Sequence, residues 1–393
     1  MADVRAFRAI RYDERTAGSP SELICPPYDV ISPEDHARLE ARSPYNFVRV
    51  ELPPAGPGGY ATAAALLRDW RAKHVLRQDL PAALYVHDHE FALLGTRATR
   101  RGVFVALRLH EPGEAVVLAH ERTFPKAKAD RLELLRATRT NTSPVFGMVA
   151  GSAAIAALAT AGHPIATATA DGDAHHLHAV TNPDAIAAFA SAIRTERVYI
   201  ADGHHRYETA SAYAEERGAT REAPERYTLV SLSALDDPGL RILATERIVR
   251  GGRAQLDAAI ARSFTASPID RGAIGDVQPG VVLVRDGRLT RLELRPDADR
   301  SALPRAWRDL PVAIAEELLL RGAREAGAEV SYEHDETRAI AAARDDTSVV
   351  LVRAVDPATL RSVADAGERL PQKTTYFYPK VPAGLVIRTL DDE

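Results

Sequence analysis

Apolar residues recur along the chain with three spacings, and each spacing predicts an element. Alternation over Ala83 to Phe91 and Val103 to Leu109, around the turn-rich stretch Gly95 to Gly102, predicts a hairpin, and Val116 to Ala119 offers a further strand. Unbroken apolar runs at Pro144 to Val149, Val198 to Ile200 and Tyr227 to Ala234 predict buried strands. Helical spacing marks Tyr60 to Val75, Ser152 to Ala161 and the stretch from Asn182-Pro183-Asp184 to Ile193. From His204 the same spacing returns at Tyr207, Ala210, Ser211 and Ala214, with Gly218 as the stop. Ser32-Pro33 is a helix start, Ser32 capping and Pro33 at the first helical position. Residues 1 to 12 alternate weakly as an edge strand, and Tyr45 to Leu52 alternates as a strand.

Beyond Asp236-Asp237-Pro238-Gly239, Leu240 to Val249 reads as a strand and Ala254 to Phe264 as a helix. Val281 to Arg285 and Leu289 to Leu294 form a hairpin around Asp286-Gly287. Val312 to Ala323 reads as a helix, and from 330 onward strands at Val330 to Tyr332 and Val349 to Val355 alternate with helices at Glu336 to Ala343 and Pro357 to Ala366, which predicts a compact α/β unit. The tail Leu370 to Lys380 fits neither spacing. Its aromatics and hydrogen-bonding groups predict packing against another domain or the rim of a ligand site.

Composition narrows the class. A length of 393 residues suggests two or three domains, and 46% hydrophobic with 26% charged residues is ordinary for a globular protein. Lys plus Arg is 50 against 54 Asp plus Glu, so no basic excess points to nucleic acid, and none is expected as a partner. No run approaches the roughly 20 apolar residues of a membrane helix, and the start lacks a signal-peptide core. One cysteine, Cys25, excludes an intrachain disulfide. The expectation is a cytoplasmic protein with a small-molecule partner, its oligomeric state open.

Candidate chemistry gathers at Asp202-Gly203-His204-His205-Arg206, where an apolar strand turns tightly into a helix. First-turn N–H groups lack intrahelical partners, the helix dipole favours negative charge, and Arg206 adds a fork suited to phosphate. A second polar cluster follows Val116 to Ala119: His120, Glu121, Lys126, Lys128, Asp130 and Arg131. Pro26-Pro27-Tyr28-Asp29 makes a stiffened turn that places Asp29 beside an aromatic ring. His175, His176 and His178 flank the Asp171-Gly172-Asp173 turn without matching carboxylate or Cys spacing. They read as loop histidines, and no metal site is expected from them.

Four stretches together resemble the domain of unknown function 1015 (DUF1015) family: Pro26 to Ile31, His120 to Arg131, Tyr199 to Tyr213, and Gln372-Lys373-Thr374-Thr375-Tyr376-Phe377-Tyr378-Pro379-Lys380. The family pattern has Thr-His-Arg where this chain has Thr245-Glu246-Arg247. Locally, Asp202 to Glu208 resembles the phosphate-binding motif of the ParB and sulfiredoxin superfamily, whose free serine kinases carry a similar Asp-Gly-His-His-Arg. Sulfiredoxin chemistry needs a motif Cys where His204 stands, and ParB clamps carry a DNA-binding helix that this chain lacks.

The resemblance implies an α/β (α+β) fold. A ParB/sulfiredoxin-like core would come from residues 1–52 and 190–253, an inserted α+β region from 53–189, and a C-terminal α/β domain from 254–393. It further implies a nucleotide-dependent phosphotransferase on a small hydroxylated metabolite, with free serine as first candidate and ATP or ADP with Mg²⁺ as cofactors. Gly203, His205 and Arg206 would cradle the phosphates; Asp202, Asp29 and His204 are the catalytic candidates. Tyr28, Arg49, His120 and Arg131 would bind substrate. The alternatives are a non-catalytic nucleotide or phosphometabolite sensor, and a phosphoserine phosphatase-type hydrolase.

Overall fold

The computed structural model describes residues 1–121, 125–276 and 280–391, and among these no helix is long and apolar enough to cross a membrane. The chain divides into two compact units. The first comprises 1–119, 123–240 and 379–393, and the second 120–122 and 241–378.

The first unit is built on one mixed sheet of nine strands among the described residues: β1 (Val4–Arg5), β2 (Leu84–Leu93), β3 (Thr96–Arg108), β4 (Val117–Ala119), β5 (Val145–Val149), β6 (His163–Ala170), β7 (Asp173–Val180), β8 (Val198–Asp202) and β9 (Tyr227–Ala234). Their order is β4-β8-β5-β9-β3-β2-β7-β6, with β1 also on β3. β8 runs parallel to β4 and antiparallel to β5, so it lies inside the sheet and is buried up to Ile200 and Ala201.

One face of this sheet is apolar. Val86, Val103, Val105, Val198, Ile200, Val230 and Leu232 pack under α5 (Ser152–Thr160), α6 (Pro183–Ile193) and α7 (His204–Glu216). Because strand side chains alternate, the opposite face carries Tyr85, His87, His89, Arg100, Phe104, Phe146, Ser231 and Ser233. A second core joins α1 (Pro33–Arg42), α2 (Val48–Glu51), α3 (Pro57–Ala72) and the returning C-terminal residues Ala383 and Ile387 around Trp70, Phe47 and Leu23. Ser32 caps α1 through Asp35 N. α4 (Pro125–Thr138) packs beside α7.

The second unit carries β10 (Arg241–Leu243), β11 (Glu246–Arg250), β12 (Phe264–Ile269), β13 (Val281–Arg285), β14 (Arg288–Leu294), β15 (Glu329–Glu333), β16 (Thr347–Val352) and β17 (Tyr376–Tyr378). Six of them form a sheet in the order β12-β14-β13-β16-β11-β15, while β10 pairs with β17. α8 (Arg253–Ser263) and α9 (Pro357–Asp365) flank the helical stretch from Pro311 to Glu325, which widens to a π-helix over Ala315–Leu320.

The mixed α/β class is as the sequence implies, and four local readings change. Tyr45 to Leu52 is not a strand. Asn46 Oδ1 accepts from Val48 N at 3.0 Å and starts a single helical turn. Leu240 to Val249 splits into two strands because its halves pair in different sheets. Tyr376 to Tyr378, in the unpatterned tail, is a strand. His175, His176 and His178 are not in a loop but within β7, where hairpin pairing with β6 carries on past the turn.

Candidate functional site

The turn after β8 is fixed by Gly203, whose φ of +83° lies in the left-handed region. A Cβ there would sit 2.9 Å from Arg206 Nε, so glycine also makes room for the arginine to fold back over the turn. α7 then anchors itself through Tyr207, Ala210 and Ala214, and the Tyr207 hydroxyl accepts from His110 N at 2.9 Å.

Asp202 ends the strand with both carboxylate oxygens engaged. Oδ2 accepts from Arg206 Nη2 at 2.6 Å, and Oδ1 accepts from Lys380 Nζ. Arg206 Nη1 donates to the Pro144 carbonyl, while its Nε is buried with no hydrogen-bond partner among the described residues. The arginine fork is therefore turned inward, onto the strand end, leaving one N–H unspent. Burial pushes the Asp202 carboxyl up, but the charges of Lys380 and Arg206 outweigh it and hold the group below the usual carboxylate range. Burial in turn pulls Arg206 down, and Asp202, Asp29 and Glu51 more than restore it.

Glu51, fully buried, lies in the surrounding layer. It accepts from Tyr28 N at 3.3 Å, from Ser143 Oγ at 2.7 Å and from Thr142 Oγ1 at 2.7 Å. Arg131 donates to the Glu51 carbonyl at 2.7 Å, chelates Asp130 at 2.8 and 2.5 Å, and stacks its guanidinium 4.2 Å from the centre of the Tyr28 ring. Burial, then the charge of Asp29, pushes the Tyr28 hydroxyl well up, so it stays protonated. A small pocket of about 40 Å³, open to solvent, touches Arg131, Thr142, Ser143 and Arg206.

The predicted residues fall into three groups. Asp202, Gly203, His204, His205 and Arg206 share the turn by construction, His204 being buried. Tyr28, Asp29 and Arg131 converge on it electrostatically, and exposed Asp29 has no hydrogen-bond or ion-pair partner among the described residues. Arg49 instead grips α1, donating to the Glu40 carboxylate at 3.0 Å and its carbonyl at 2.8 Å. His120 belongs to the second unit, where its Nε2 lies 3.0 Å from Thr375 Oγ1. Lys128 pairs with Glu208 at 3.3 Å, and the side chain of Lys126 lies outside the described residues.

Sequence reasoning missed Lys380, Glu51 and the Pro144 carbonyl. A lysine ending an aromatic-rich tail was the available signal for the first. Glu51 was hidden by the apparent alternation of a stretch that is in fact a helical turn.

A mixed α/β unit with a basic strand–turn–helix corner is the class these features define. The chain belongs to the DUF1015 family, described as a protein of unknown function, whose model matches residues 4–313. No curated protein sequence matches it. Similar solved structures include SbnI with a C-terminal truncation from Staphylococcus aureus, at 10% identity and TM-score 0.44, covering 74% of this chain and 90% of that one. A conserved hypothetical protein from Pyrococcus furiosus is 14% identical at TM-score 0.40, with 74% and 96% covered. A free serine kinase in complex with AMP is 14% identical at TM-score 0.39, with 70% and 86% covered.

Proposed function

We propose that the Asp202–Arg206 corner grips the phosphates of ATP or ADP and that the protein transfers a phosphoryl group to a small hydroxylated metabolite, free serine being the first acceptor to try. The observation that carries this reading is the charge arrangement at the turn. Two cations, Arg206 and Lys380, converge on the single carboxylate of Asp202 beside the N-terminus of a 13-residue helix, and one Arg206 N–H is buried and unspent. That set suits a polyphosphate.

In this reading Gly203, His205 and Arg206 hold phosphate, and Asp202 holds Arg206 and Lys380 in place rather than acting as base. Asp29 is the carboxylate left free to take the acceptor's proton or the nucleotide's Mg²⁺, with His204 as the alternative acid/base. The acceptor oxygen bonds to the terminal phosphorus as the bridging P–O bond breaks, and the alcohol proton passes to the carboxylate. Positioning and charge neutralisation do most of the work. Tyr28 and Arg131 would face the acceptor.

One observation favours a non-catalytic sensor instead: every motif side chain with a resolved partner is spent on the protein itself, Asp202 on two cations and Arg206 on two oxygens. Titration calorimetry with ATP, ADP and CTP, with and without Mg²⁺, on wild type and Arg206→Ala tests both. Binding lost in the variant is expected. Absence of binding to wild type overturns the phosphate cradle. Turnover of hydroxy-amino acids, with phosphoserine hydrolysis in the same panel, separates kinase, hydrolase and sensor.

A further inference from the structure

The polar face of the nine-stranded sheet holds a second cluster, built from strands rather than from the turn. β2 and β7 pair with His89 directly opposite His175 and His87 opposite Leu177, which puts His87, His89 and His175 on one face, two of them diagonal neighbours. All three are buried, at 2%, 1% and 3% exposure. His87 Nε2 lies 3.1 Å from His175 Nδ1, and one ring nitrogen from each residue falls within 4.8 Å of the others. His89 Nε2 faces Asp173 Oδ2 at 2.9 Å, while its Nδ1 is buried without a hydrogen-bond partner among the described residues.

We propose that His87, His89 and His175 bind a divalent transition-metal ion of the zinc class, with Asp173 orienting His89 from behind. Three imidazoles with an open fourth position are a familiar donor set for such an ion. A carboxylate on the far nitrogen of a ligating histidine fixes its tautomer and strengthens it as a donor, which matches the Asp173–His89 contact. The unspent His89 Nδ1 is the donor that a buried imidazole without a metal leaves idle.

Charge around the cluster shapes what else the ion carries. Arg100 stands opposite His89 on β3, stacked 4.6 Å from the Phe146 ring centre, with both Nη groups buried and without partners among the described residues. That cation opposes a bare metal ion, while Asp237, Asp202 and Asp173 lie near enough to Arg100 to interact with its charge. A metal-bound anion, hydroxide or a carboxylate, answers both the open coordination position and the idle Arg100 donors.

The test uses the untagged full chain stripped with a chelator. Wild type should take up one equivalent of Zn²⁺ by calorimetry, and one equivalent of Co²⁺ should give the intense visible bands of a four-coordinate site. His175→Gln and His87→Gln should weaken Zn²⁺ at least 100-fold, and Asp173→Asn about 10- to 100-fold. His176→Ala should change nothing, since His176 sits on the other face, 3.5 Å from Glu90. Should a histidine variant misfold by circular dichroism, the Co²⁺ spectrum of wild type and the Asp173→Asn titration still decide. No stoichiometric uptake by wild type, or undiminished binding in folded His175→Gln, overturns the proposal, as does binding of sulfate or phosphate with no metal. Every readout is independent of nucleotide.

Discussion

Glu246→Gln should make the second unit more stable at pH 8 and nearly indifferent at pH 4.5. Glu246 is 4% exposed on β11, and one of its oxygens accepts from Val352 N at 2.8 Å. Burial pushes its carboxyl up to about 8, and the Val352 N–H and the Arg247 charge only partly counter that. In the unfolded chain it returns to about 4.3. The folded state therefore binds the proton more tightly, so the group's stability contribution is complete below the unfolded pKa. It is lost as pH rises from about 4.3 to about 8. At about 1.4 kcal/mol per pKa unit, the full swing is on the order of 5 kcal/mol. Glutamine keeps the carbonyl oxygen for Val352 and has no proton to lose. Urea unfolding followed by the fluorescence of Trp307, buried in the same unit, reads the effect in a Trp70→Phe background. An unchanged or lower midpoint for Glu246→Gln at pH 8, with native circular dichroism, would refute the reasoning.

Three further outcomes follow from the site and its surroundings. Gly203→Ala places a side chain at φ +83° and 2.9 Å from Arg206 Nε, so it should cost about 1–2 kcal/mol in thermal stability and weaken any nucleotide binding; full retention of both contradicts the turn geometry. Lys380→Met removes one of two cations from Asp202, whose side chain is 15% exposed, and should cost about 2–3 kcal/mol. Asp202's stability contribution, present above the usual carboxylate pKa and lost as pH falls through its depressed folded value, should then disappear at higher pH, moving the acid-unfolding midpoint upward; an unmoved midpoint argues against the ion pair. Cys25 is buried and its thiol pushed well up, so a thiol reagent at pH 8 should label it only as the protein unfolds, and prompt labelling of native protein would contradict that burial.

Local patterning along the chain determined most elements and the corner itself. The hairpin of β2 and β3, the buried β8 and β9, the Ser32 cap and the Asp202–Arg206 turn all follow from side-chain spacing and turn chemistry that act over a few residues. Tertiary structure decided which distant groups meet. Lys380 reaches Asp202 from 178 positions away, Glu51 gathers hydroxyls from Thr142 and Ser143, and His87 finds His175 across 88 positions. The physical reason is that charge pairing and sheet register act through space, and nothing in local spacing encodes which strands become neighbours. Asp202 shows the consequence. Its motif marked it as a catalytic candidate, and the fold adds Lys380 beside Arg206 as a second cation on the same carboxylate.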